Sequence, residues 1–377
     1  MRVPALALVA LSALAQAPLD RTPIPGASWR ARFFHDEDDS RLTLRDLKIV
    51  DTTNGIALGS LIQGTGRRGV AVRTSDGGGT WEILKLAEEP LSAFFLTKRL
   101  GWMLTVSHVW STGDGGRTWN RLARHDGLRS LSFVDENRGF AVGLRKQVLE
   151  TRDGGSHWTK VAAAAEPKTD AERTRYLSVE FRGKVGVIAG SHEPRRAGDG
   201  AETSWLDPAA AMRRRQLPSL SILLQTLDGG DTWRSSTQSI LGVLSHYKLA
   251  PPSSLLTLVQ FPNQFEWPSE VYLLDLAAAQ MDRVFREKDR AVQDVALLDN
   301  GMSYLAAVEP PGTLRGIPVP GKVRIARSSD RRAWREMDVD YRAMAQRVML
   351  ASLPGGPVWA ATDTGMILAL TVGSKTN

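Results

Sequence analysis

Aspartates recur in this chain at a spacing that could serve chemistry. The stretch Thr74-Ser75-Asp76-Gly77-Gly78-Gly79-Thr80-Trp81 returns as Thr112 to Trp119, with Asp114 and Gly116. It returns again as Thr151 to Trp158, with Asp153 and Gly155, and as Thr226 to Trp233, with Asp228 and Gly230. A fifth copy, Ser328 to Trp334 around Asp330, has lost its glycines and one residue of spacing. Carboxylates held in register could act as acids, bases or nucleophiles, or they could bind calcium. A calcium loop wants several oxygen ligands at alternating positions, and most of these turns offer one carboxylate. The residue types fit a structural turn better. An aspartate can accept its own turn's backbone N–H groups, the glycine takes a positive φ, and the tryptophan buries a large ring on the hairpin.

Strands must carry these turns. In residues 127–161 an alternating run (128–134) precedes an acidic turn, a short apolar run (139–143), a third strand (148–151), the box, and a fourth strand opened by Trp158. Four antiparallel strands in about 35 residues is the size of a propeller blade. The same reading gives blades over 42–86, 91–122, 176–236, 243–286 and 291–338. Residues 344–372 supply three strands and no fourth. An orphan strand at 27–34 can complete them, closing the ring and removing exposed edges. The predicted fold is all-β: a seven-bladed β-propeller of four-stranded antiparallel blades, closed by an N-terminal strand in the last blade. Eight blades would follow if the insertion at 191–219 hid more structure, and six if the fifth blade failed.

Composition narrows the chemistry. The 377 residues include no cysteine, which excludes disulfides, thiol catalysis and cysteine-metal sites, and the formal net charge is +7. A basic balance favours an acidic partner, and no nucleic-acid-binding motif is present. Arg2, the apolar run 5–14 and small residues at Ala13, Ala15 and Ala17 read as an export signal over 1–17, with cleavage after Ala15 favoured because Pro18 follows the other site. A buried first helix is the competing reading. The run is too short to span a bilayer, so a periplasmic or secreted protein is expected. Residues 18–26 are a Pro-rich extended lead-in, 27–372 one propeller domain, and 373–377 a tail.

The boxes resemble the Asp-box, or bacterial neuraminidase repeat. Residues 131–143, Leu-Ser-Phe-Val-Asp-Glu-Asn-Arg-Gly-Phe-Ala-Val-Gly, followed by the box at 151–158, resemble the photosystem II stability and assembly factor family. Residues 47–59 echo the pattern. The resemblance covers about residues 27–372, best over 42–161. It implies a seven-bladed, non-catalytic assembly scaffold that binds a reaction-centre subunit partly through an arginine-rich surface. Sialidases share the boxes but need an arginine triad, a Tyr–Glu nucleophile pair and an acid aspartate. Their Arg-Ile-Pro signature is approached only by Arg315-Gly316-Ile317-Pro318, and none of the five tyrosines pairs with a glutamate by motif. A carbohydrate-binding or glycoside-hydrolase role is therefore the alternative, not the expectation.

Blade topology points to a face. The boxes join third and fourth strands, so second-to-third-strand loops emerge opposite them. Those loops are basic: Arg67 and Arg68, Arg145 and Lys146, Arg195 and Arg196, Arg213, Arg214 and Arg215, and Arg315. The fifth blade's loop instead offers Phe261, Phe265 and Trp267 between prolines. Arginine suits bidentate pairing with carboxylates, and aromatics can anchor a partner. The expected partner is a protein with an acidic segment, such as a membrane-protein client, and the propeller itself is expected to be a monomer. The competing reading is that basic loops only solubilise that face. No cofactor or metal is expected, because the six histidines show no ligand spacing; His108 lies in one of these loops.

Overall fold

The alternation read at residues 128–134 is a strand in the structure, with Leu128, Leu131 and Phe133 buried. The structure is a computed structural model, and it describes residues 10–12, 16–193, 218–250, 254–261, 267–278, 280–314 and 317–372. Blade 1 runs through Ser40–Ile49, Gly55–Gln63, Gly66–Thr74 and Glu82–Lys85. Blade 2 is Pro90–Phe95, Gly101–Thr105, His108–Thr112 and Asn120–Arg124; blade 3 is Leu128–Phe133, Gly139–Gly143, Val148–Thr151 and Thr159–Lys160. Blade 4 is Thr174–Arg182, Val185–His192, Ser219–Thr226 and Arg234–Ile240. Blade 5 is Val243–Ala250, Ser254–Gln260, Ser269–Asp275 and Gln280–Arg286; blade 6 is Ala291–Leu297, Ser303–Val308, Gly321–Ser328 and Arg335–Glu336. Blade 7 is Val348–Ser352, Val358–Thr362 and Met366–Val372, completed by Ala27–Phe34. The ring closes as the strand count requires, by antiparallel pairing of Ala27–Phe34 with Met366–Val372.

The core lies between blades. Seven apolar clusters fill the seven junctions between neighbours. Trp29 of the closing strand is wholly buried, meets Tyr304 edge-on at 6.1 Å, and donates its indole N–H to the Met337 sulfur at 3.3 Å. The lead-in is more than a tether. Leu19 packs against the blade 5–6 core and Ile24 enters the blade 6–7 core, while Asp20 bridges Arg335 of blade 6. That docking covers an outer strand only two residues long.

The inner strands of blades 1 to 6 share one irregularity, a register shift in their first half or at their middle. Such a bulge re-aims the following side chain. In blades 1 and 6 that side chain is a carboxylate. Asp46 accepts Leu47 N–H and, across the junction, Ala93 N–H of blade 2 at 2.8 Å. Asp294 likewise accepts Val295 N–H and Leu350 N–H of blade 7 at 2.8 Å. One carboxylate thus ties two inner strands together.

Candidate partner-binding face

The boxes form one face of the ring. In the first, Thr74 Oγ1 donates to Asp76 Oδ1 at 2.8 Å, Gly78 N–H donates back to Thr74 Oγ1, and Thr80 donates both N–H and hydroxyl to Asp76. The same handshake recurs at Asp114, Asp153 and Asp228. Glycines after each aspartate take φ between +71° and +99°, a region that costs other residues about 1–3 kcal/mol. The first of them donates to the neighbouring turn of its own blade: Gly77 to Thr53 O, Gly115 to Arg99 O, Gly154 to Asn137 O and Gly229 to Lys184 O. The degraded copy keeps the Ser328–Asp330 bond and puts Arg331 at φ +63° where the glycine stood.

These bonds set the aspartates' chemistry. Hydrogen bonds from Thr80 and Thr74 hold the Asp76 carboxyl well below the usual range, and those from His157 and Thr151 hold Asp153 at about 2. Carboxylates this stabilised are poor bases, and all their oxygens are engaged within their own turn. Among the described residues no group of three or more His, Cys, Asp or Glu side chains is placed to hold a metal ion.

The opposite face carries the second-to-third-strand loops. Arg67 and Arg68 sit at the start of blade 1's third strand, Arg145 and Lys146 in blade 3's loop, and Trp267 at the end of blade 5's loop. Arg195, Arg196, Arg213, Arg214, Arg215, Arg315 and Phe265 lie outside the described residues. The described cations are partnered by the links between blades. Arg67 pairs with Glu89 at 2.5 Å, and Arg145 with Asp126 at 2.8 Å and Glu172 at 3.5 Å. Arg68 reaches Gln63. Lys146 donates to the carbonyls of Ala165 and Pro167, and burial lowers its pKa. Trp267 lies under two cations, Arg286 at 4.1 Å and Lys288 at 4.9 Å.

Two further clusters were not assembled from the sequence, although His108 was named. His108 Nδ1 bonds Glu88 at 2.6 Å, and Glu88 also takes the Thr105 hydroxyl. Around the axis, the inner strands gather Asp46, Glu180, Lys248 and Asp294. Burial works against the Lys248 ammonium, but Glu180, Asp294 and Asp46 outweigh it and raise its pKa. The readable signal was a polar residue breaking an apolar inner strand, as in Leu44-Arg45-Asp46-Leu47 and Val292-Gln293-Asp294-Val295.

A tyrosine–glutamate pair does exist: Tyr272 donates its hydroxyl to Glu270, which also faces Arg283 and Arg286. Burial and Glu270 push the Tyr272 phenol up rather than down, and a nucleophile needs the reverse.

Comparison with known proteins finds sequence similarity over parts of the chain and a similar fold over most of it. The family described as "Photosynthesis system II assembly factor YCF48" matches residues 121–196, from the last strand of blade 2 through blade 3 into blade 4. "Photosystem II assembly lipoprotein Ycf48" of Prochlorococcus marinus (strain MIT 9313) is 23% identical over 256 residues, 63% of this chain and 70% of that protein. "Photosystem II stability/assembly factor HCF136, chloroplastic" of Arabidopsis thaliana is 32% identical over 108 residues, 28% of this chain and 20% of that protein. A solved structure described as "YCF48 bound to D1 peptide" superposes with a TM-score of 0.62 at 14% identity, covering 96% of this chain and 99% of that one. The resemblance to photosystem II assembly factor-like propellers stands. These relatives are named as assembly factors.

Proposed function

We propose that the chain is an exported, non-catalytic scaffold whose face opposite the boxes holds an acidic segment of a protein client, such as a membrane protein during assembly. The observation that supports this reading is topological: Arg67, Arg68, Arg145 and Trp267 lie in or beside second-to-third-strand connections, at the opposite strand ends from the boxes. Their present acidic partners do not preclude a client. Exposed pairs contribute about 0–1 kcal/mol, so a client carboxylate can take the place of Glu89 or Asp126 at little cost. The undescribed residues Arg195, Arg196, Arg213, Arg214, Arg215, Arg315 and Phe265 complete the proposed surface, with the insertion at 191–219 as its clamp. A relative described as bound to a D1 peptide supports a peptide of a membrane protein as the class of client. Relatives named as lipoproteins accord with an exported protein that works at a membrane, and the leader at 1–17 belongs to this reading. So does a single monomeric propeller over 27–372.

Crosslinked capture from an envelope extract tests it, comparing the mature protein with Arg213→Glu/Arg214→Glu/Arg215→Glu. A client identified with the first and lost with the second is the expected result. Hydrolysis of an aryl-glycoside or sialoside panel, with no client captured, would overturn it.

A further inference from the structure

Six of the seven outer strands are defended against pairing with another chain. Blade 1's Glu82–Lys85 is short and charged at both ends, and blade 2's Asn120–Arg124 is bulged and carries two arginines. Those of blades 3 and 6 have two residues each. Blade 5's strand contains Asp282, Arg283 and Arg286 and breaks its pairing register with the neighbouring strand. Blade 7's closing strand is partly covered by Asp338–Val339. These are the devices by which natural sheets blunt their edges.

Among the described residues blade 4 shows none of them beyond a terminal Arg234. Its outer strand, Arg234–Ile240, reads Arg-Ser-Ser-Thr-Gln-Ser-Ile and pairs without a bulge along its whole length with Ser219–Thr226. It is the terminal strand of its sheet and exposed over Arg234–Thr237. Its last residues run into a cleft of about 390 Å³ between blades 4 and 5, walled by Leu241, Phe261, Trp267, Tyr272, Met281 and Arg286.

We infer that this edge and its cleft form a strand-addition site for an extended segment of a protein partner. The partner's backbone takes the open row of N–H and C=O groups, and one of its apolar side chains enters the Trp267 cleft. Charge selects the occupant. The edge is neutral in its middle, with Arg234 at one end and, at the other, Arg286 and Lys288 over Trp267, of which Arg286 also pairs with Glu270 in the cleft wall. Antiparallel pairing of two copies would set Arg234 of each against the Arg286 and Lys288 of the other. An uncharged extended segment with acidic ends is the complementary occupant. The inference rests on the scaffold reading and places part of its client contact on blade 4.

Two fluorescent nonapeptides test it: Asp-Leu-Thr-Ser-Thr-Ser-Thr-Ser-Asp and its reverse, which put the leucine at the cleft for antiparallel and parallel addition respectively. One should bind and slow amide exchange over 234–240. Outward and inward N–H groups alternate along an edge. Of Ser236→Pro and Thr237→Pro, therefore, one removes an outward donor without breaking the ladder, and it is identified by an unchanged melting temperature. That variant should weaken the bound peptide at least ~10-fold, and Trp267→Ala by ~30-fold, as for a buried aromatic anchor. Four results would overturn the inference. One is neither peptide binding. Another is slow exchange over 234–240 in the free chain, which would mean that its own residues cover the edge. The third is a dimer that dissociates in the proline variant. Client loss on reversing Arg213 to Arg215, with edge variants unaffected, would leave the scaffold and remove this site.

Discussion

Replacing Asp114 by asparagine asks what the boxes are for. Its Oδ1 accepts the Thr112 hydroxyl at 2.8 Å and the Arg117 and Thr118 N–H groups at 3.0 Å, and its Oδ2 accepts the Thr118 hydroxyl at 2.6 Å. An asparagine keeps one acceptor oxygen and turns an amide donor toward Thr118. Hydrogen bonds to charged groups contribute about 1.5–3 kcal/mol each when buried. This turn faces solvent, which screens them, so the whole loss should be ~2 kcal/mol. The pKa gives a similar bound. Burial pushes the carboxyl up, and the bonds from Thr118, Thr112 and Arg117 outweigh it, holding the pKa at about 2. Against an unfolded value of ~3.9, linkage allows at most ~2.5 kcal/mol before screening. The folded pKa is depressed, so this stability is present above pH ~4 and is lost as the pH falls toward ~2. Urea unfolding followed by tryptophan fluorescence should show Asp114→Asn destabilised at pH 7, with about half the gap remaining at pH ~3. Equal stability at pH 7, or a gap that does not change with pH, would refute the staple. A melting temperature raised by ~1 mM calcium in the native protein but not the variant would point to the metal reading instead.

Adjacent glycines in one box should differ. A Cβ on Gly230, at φ +98°, would lie 2.2 Å from the Phe140 ring, whereas one on Gly229, at φ +78°, meets nothing within 4 Å. Gly230→Ala should cost ~2–4 kcal/mol and Gly229→Ala ~1 kcal/mol in urea unfolding; equal costs would contradict the packing account. Asp294→Asn should cost ~1–2 kcal/mol, because one of its two backbone donors loses a charged acceptor. It should also speed amide exchange at Leu350, with exchange at Ala93, tied instead to Asp46, unchanged.

The blade count was legible because each box marks a hairpin whose flanking runs alternate with period two. The closing strand was legible because residues 344–372 fell one strand short. Less could be read where tertiary neighbours decide. Leu19 and Ile24 looked like an extended lead-in, since nothing local says that a loop will plug two junctions between blades. The bulge carboxylates depend on a one-residue slip that sequence period cannot reveal. The basic loops looked unopposed because Glu89, Asp126 and Glu172 lie in links between blades, distant in sequence from Arg67 and Arg145. Tyr272 and Glu270 form a pair that alternation could have shown, being two residues apart on one strand. The undefended edge of blade 4 was also present in sequence, as a run of Ser, Thr and Gln without lysine or proline.

Binding of a labelled Asp- and Glu-rich peptide measured by fluorescence anisotropy, with the two faces reversed separately, tests the central claim most directly. Arg67→Glu/Arg68→Glu/Arg145→Glu reverses the loop face, and Arg99→Glu/Lys184→Glu reverses the box face. The scaffold account predicts at least ~10-fold weaker binding for the first, with a shallower salt dependence, and no change for the second. Binding that is indifferent to the first and lost in the second would contradict it.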